Sequence, residues 1–98
     1  MLEIIELRTT DRDKALSGSR ICEIIETIGA GWEAEQGMRI KVYTSAIIKS
    51  DISIHIMHSK DSLNEKDYLL SHQIRTLLEE WGLVNHTIWK EEDCNTDE

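Results

Sequence analysis

Proline is absent from this chain, and so is phenylalanine. Without proline no helix carries a built-in kink and no segment is locked into an extended polyproline form. Without phenylalanine the core must be assembled from Ile, Leu, Val and Met with the three Trp. Isoleucine is abundant, which favours strands and well-defined packing. Only two cysteines occur, Cys22 and Cys94, too few for a disulfide framework. Cys22 reads as a small apolar residue on a helix rather than a nucleophile. No Cys-x-x-Cys and no His-x-x-x-His pair is present, and His55 and His58 fall on opposite faces of one strand, so neither a metal site nor a cofactor is expected.

Basic residues are few and scattered. Eleven Lys and Arg stand against nineteen Asp and Glu, a net charge of −8. That balance repels a phosphate backbone and an anionic membrane surface, and argues against either as a partner. Apolar runs are short, far below the ~20 residues that span a bilayer. Glu3 and Glu6 interrupt the opening apolar segment, so it does not read as a signal peptide. A cytoplasmic location is the expectation.

What is present is periodicity. Residues 2–8 predict a first strand, with Glu3, Ile5 and Leu7 on one face and Leu2, Ile4 and Glu6 on the other. A strand apolar on both faces belongs in the middle of a sheet. Thr9-Thr10-Asp11 supplies a helix start, although Gly18 moves the start toward Ser17. The helix stripe is Ile21, Ile24, Ile25 and Ile28, with Gly29 and Gly31 as a stop. Ser17-Gly18-Ser19-Arg20 has the groups to cradle an anion, but reads better as the start of a helix.

Residues 38–47 and 51–58 alternate and predict a hairpin whose turn centres on Lys49. Tyr43 then opposes His55, Lys41 opposes Met57 and Val42 opposes Ile56. Ser62-Leu63-Asn64-Glu65 matches a capping box. A second helix runs to about Trp81 on a stripe of Leu70, Ile74, Leu77, Leu78 and Trp81, with His72 on its outer side. Gly82 serves as its C-terminal stop and Leu83 packs back on it. Val84 to Lys90 forms a last strand, with Trp89 and His86 on opposite faces. Residues 91–98 are acidic, without periodicity, and expected to fray.

The order is β-α-β-β-α-β. It predicts one α+β domain over residues 1–90, ferredoxin-like, with a four-stranded antiparallel sheet and two helices on one face. A domain of this length holds only a thin core, burying about 60–65% of its unfolded surface. The second sheet face would be bare, so a homodimer is expected, closing a small cavity between two sheets.

Order and spacing resemble the dimeric α+β barrel group, especially the antibiotic biosynthesis monooxygenase-like domains. The resemblance covers Leu2 to about Trp89. It rests on Glu35-Gln36-Gly37 leading into a hairpin, the ladder from Met38 to Met57, and Ser71-His72 before an apolar stripe. It implies the fold and the dimer; where such domains carry acids and a Trp at the end of the third strand, this chain has Met57-His58-Ser59.

Candidate residues follow from the bare face. His55 beside Tyr43 could move a proton, an imidazole being the side chain that titrates nearest neutrality. Lys41, Met57 and Trp89 would line a pocket for a small apolar or aromatic ligand. Three functions fit: a ligand-binding dimer, a cofactor-independent monooxygenase or isomerase using His55, and a regulatory interaction module.

Overall fold

The computed structural model describes residues 1–9, 18–48, 51–60, 62–92 and 94. Among these residues four strands and two α-helices form: β1 (Leu2–Thr9), α1 (Gly18–Gln36), β2 (Met38–Thr44), β3 (Ile52–His58), α2 (Leu69–Leu78) and β4 (Gly82–Trp89). A single 3₁₀ turn, Glu65–Tyr68, precedes α2. The strands make one antiparallel sheet in the order β2-β3-β1-β4. This is an α+β architecture compatible with a ferredoxin-like fold. No described helix is long and apolar enough to cross a membrane.

The central place of β1 explains its double apolar pattern. Ile5 and Leu7 join Ile52, Ile54, Ile56 and Met38 in one buried cluster with Ile21 and Ile25 of α1 and Leu70, Ile74 and Leu78 of α2. All six strand residues share one face by the two-residue period, so both helices lie on that face. A buried Ile or Leu side chain contributes roughly 1.5–3 kcal/mol by leaving water, and this cluster is where that energy is concentrated.

Four sequence expectations are corrected. First, α1 does not stop at Gly29 and Gly31 but continues to Gln36. Gly29 lies inside the helix because α1 passes close over β2 there: a Cβ at Gly29 would come within 2.6 Å of Ile40 Cδ1. The stop is Gly37, whose φ of +64° is the left-handed conformation that glycine tolerates at a helix end.

Second, the hairpin register is offset by two residues. Tyr43 opposes Ser53, Lys41 opposes His55, Arg39 opposes Met57 and Val42 opposes Ile54. The connection explains the shift: the Ser45 hydroxyl accepts from the backbone N–H groups of Ile47 and Ile48, and the Ser45 N–H donates to the Asp51 carbonyl at 2.9 Å. A slip of two keeps every side chain on its own face, so the apolar pattern is blind to it.

Third, the capping box is built on Asn64 and Asp67 rather than Ser62 and Glu65. The Asp67 N–H donates to Asn64 Oδ1 at 3.1 Å and the Asn64 N–H donates to Asp67 Oδ2 at 2.8 Å. Fourth, α2 ends at Leu78, and Gly82 is the first residue of β4, opposite Thr9. A Cβ at Gly82 would run into the Arg8 carbonyl, so close approach of β1 accounts for the glycine. Leu83 is 67% exposed and does not pack back on the helix.

Of the helix start assigned to Thr9-Thr10-Asp11, Thr9 is the last residue of β1; positions 10 and 11, with Ser17 of the suggested anion cradle, lie outside the described residues. Arg20 of that segment pairs with Glu23 at 3.3 Å. Of the tail, residues 91, 92 and 94 are described and exposed; the others lie outside the description.

Asp67 carries a testable charge. Its carboxyl is held below the ordinary aspartate range by the Lys60 ammonium at 2.7 Å, then by the Asn64 backbone N–H. A lowered folded-state pKa means the stabilisation is present above the ordinary value of 3.8 and is lost as pH falls through the folded value. We expect Asp67→Asn to cost about 1–2 kcal/mol at pH 7, as loss of a helix cap does. Urea titrations at pH 7 and pH 3 check it: the gap between variant and wild type should narrow at the lower pH.

Candidate functional site

The sheet presents its second face away from both helices, and the pairing registers lay its side chains out in rows across β2, β3, β1 and β4. One row reads Arg39, Met57, Leu2, Trp89. The next reads Lys41, His55, Ile4, Thr87, and the third Tyr43, Ser53, Glu6, Asn85. All five residues singled out from sequence, Lys41, Tyr43, His55, Met57 and Trp89, stand on this face.

The rows separate them into two groups. Lys41 is directly opposite His55, and Tyr43 is diagonal to it. The Tyr43 and His55 rings meet with centroids 4.7 Å apart, tilted by 53°, a geometry typical of ring pairs. His55 Nε2 and Ser53 Oγ share a hydrogen bond of 3.0 Å. Trp89 is on the outer strand β4, three strands away from Tyr43 on β2, or roughly 14 Å at the usual strand spacing. Its indole N–H donates to Thr87 Oγ1 at 2.9 Å. Trp89 therefore shares a face with Tyr43 and His55 but no contact with them.

The concavity on this face is not centred on His55. A cavity of about 600 Å³ opens at the end where β2 turns into β3, walled by Tyr43, Ser53, Glu6, Arg8, Asp51 and Asn85 among others. Its size is within the range of small-molecule sites. His55 is not among its walls but meets two of them, Tyr43 by ring contact and Ser53 by hydrogen bond, from the adjacent row of the same face.

Sequence reasoning missed a second constellation, on the helix face. Glu3 is fully buried. Its Oε2 meets His58 Nε2 at 2.6 Å and its Oε1 meets His86 Nε2 at 2.9 Å. The two imidazoles are themselves 3% and 13% exposed. Both carboxylate oxygens are thus satisfied, which a buried carboxylate requires. The same end is fastened by the N-terminal ammonium of Met1, which donates to the carbonyls of His58 and Lys60 at 3.1 and 3.0 Å. One signal was legible: Glu3 shares its strand face with Ile5 and Leu7, so a charge on the core side needs a partner. Among the described residues, no three His, Cys, Asp or Glu side chains converge as metal ligands would.

Cys22 is half-buried and free, and lines a smaller hollow between α1 and β2 with Ile25, Gly29, Ile40 and Val42. Cys94 is free and exposed.

Compared with protein-family models, characterised proteins and solved structures, the chain matches none.

Proposed function

We propose that two copies of this chain pack their open sheet faces together and bind a small ligand with an apolar or aromatic body in the space enclosed. The observation that carries this is the uncovered face itself. Tyr43, Leu83 and Trp89 are 47%, 67% and 57% exposed on it, with Leu2, Ile4 and Met57 between them. Leu2, Met57, Trp89 and Ile4 are neighbours in the first two rows, and an apolar patch of this kind on a small domain marks a contact surface.

Charge favours a second copy as the occupant. The whole chain carries −8, so two copies repel almost everywhere. This face carries Arg8, Arg39 and Lys41 against Glu6 and Asp51, a net +1, and is where like-charge repulsion is least. The free thiols of Cys22 and Cys94 accord with a reducing, cytoplasmic setting.

The native mass in solution tests the reading. Sedimentation velocity at tens of micromolar should give twice the 11.3 kDa chain mass. A species of 11.3 kDa across that range would end it.

The hydrogen bond between His55 and Ser53 supports a second reading, in which His55 serves as a general base reaching the cavity through the Ser53 hydroxyl. His55→Ala should then abolish turnover while the native mass stays unchanged.

A further inference from the structure

The charges around the 600 Å³ cavity are arranged more specifically than an apolar ligand requires. Two carboxylates, Glu6 and Asp51, and one guanidinium, Arg8, line it together with the Tyr43 ring and the Leu83 side chain. Arg8 Nε is 3.9 Å from Asp51 Oδ2, and the Arg8 side chain is 81% exposed. That separation is at the outer limit of an ion pair and too long for a hydrogen bond. The two groups therefore do not consume each other's hydrogen-bonding capacity. Glu6 makes no ion pair among the described residues.

We propose that this cavity takes a zwitterion with an apolar or aromatic body, of which an aromatic amino acid is the simplest form. The proposal rests on the ligand-binding reading above and supplies the chemistry of the ligand. A simple anion would meet two carboxylates and one cation, a net repulsion. A simple amine would be drawn to Glu6 and Asp51 but would place its charge beside the Arg8 guanidinium. A zwitterion turns Arg8 from a repelling neighbour into a partner. Its ammonium lies against Glu6 and Asp51, and its carboxylate takes the planar fork of Arg8, whose donors match a carboxylate. Ser53 and Asn85 add neutral hydrogen-bonding groups to the wall. The organic body then rests on Tyr43, whose ring meets the His55 ring at a centroid distance of 4.7 Å.

The test uses the whole chain and three probes that share one body: phenylalanine, 2-phenylethylamine and 3-phenylpropanoate. Binding is read by calorimetry and by the shift of the thermal midpoint, which rises with any ligand that prefers the folded state. Phenylalanine should bind at least tenfold more tightly than either fragment. Arg8→Gln should weaken phenylalanine at least tenfold and tighten 2-phenylethylamine, which loses a like-charged neighbour; Glu6→Gln should weaken both. Each variant's unliganded midpoint reports whether it has folded as the parent does. Equal binding of phenylalanine and 2-phenylethylamine overturns the proposal, as does the absence of any binding by phenylalanine. If the native mass is that of a dimer and phenylalanine does not bind, the zwitterion alone has failed. If the chain is monomeric, the dimer reading has failed, and phenylalanine binding then judges the cavity separately.

Discussion

Replacing Glu3 by Leu should destabilise the protein by about 2–5 kcal/mol, the cost expected when one member of a buried hydrogen-bonded network is removed and two partners are stranded. Leucine fills nearly the volume of glutamate, so no large cavity contributes. The cost lies in the nitrogens left behind: His58 Nε2 and His86 Nε2 lose their acceptor in a region where they are 3% and 13% exposed. Each buried group left without a partner costs roughly 1–3 kcal/mol. Against a total stability of about 5–15 kcal/mol for a small domain, that is a large fraction.

The informative comparison is the triple variant with Leu at positions 3, 58 and 86. Replacing all partners by apolar groups of similar shape is far milder than removing one. The triple variant should therefore be more stable than Glu3→Leu alone, although it carries more substitutions. Chemical unfolding of the wild type, the three single variants and the triple variant reads the coupling directly. A Glu3→Leu variant within 0.5 kcal/mol of the wild type would show that the network does not hold the ends of β1, β3 and β4 together.

That network shows where sequence reading succeeds and where it stops. The faces were legible, because a two-residue period fixes them without knowledge of partners. Glu3 was assigned to the side of Ile5 and Leu7, and His55 to the side opposite Ile52, Ile54 and Ile56, as the structure has them. The pairings were not legible. His58 and His86 reach Glu3 from 55 and 83 residues away in the chain, and only the sheet order and register bring them there. The hairpin register failed for a related reason: a slip of two residues leaves the apolar pattern unchanged, while the loop geometry around Ser45 selects between the two. The end of α1 was misread because a glycine can serve a contact as well as a stop. Gly29 makes room for Ile40, and Gly37, the residue that does terminate the helix, lies eight positions later. The cavity of the single chain was not legible either: its wall is built by Tyr43 and Ser53 with Arg8 and Asp51, and the last two come from strand ends that no local motif marks.

The second large effect is expected at Ile4. This residue sits on β1 between His55 of β3 and Thr87 of β4, in the middle of the open face. It contributes nothing to the helix-side core, so Ile4→Asp should leave the monomer folded, at a β-propensity cost of order 1 kcal/mol. In a face-to-face dimer the same aspartate is moved from water into the centre of the contact, once in each copy, with its two-fold mate close by. An unpaired charge buried in this way is disfavoured by several kcal/mol. We expect the dimer dissociation constant to rise at least 100-fold, which is about 2.7 kcal/mol. His55→Ala is the matched control: it removes the ring contact with Tyr43 but adds no charge, and the dimer should persist. Sedimentation equilibrium over a wide concentration range separates these results from a folding defect, since circular dichroism of the Ile4→Asp chain should match the parent. If Ile4→Asp remains dimeric with an unchanged dissociation constant, the copies meet through some other surface, and the open face is left as the wall of a single-chain cavity rather than half of a shared one.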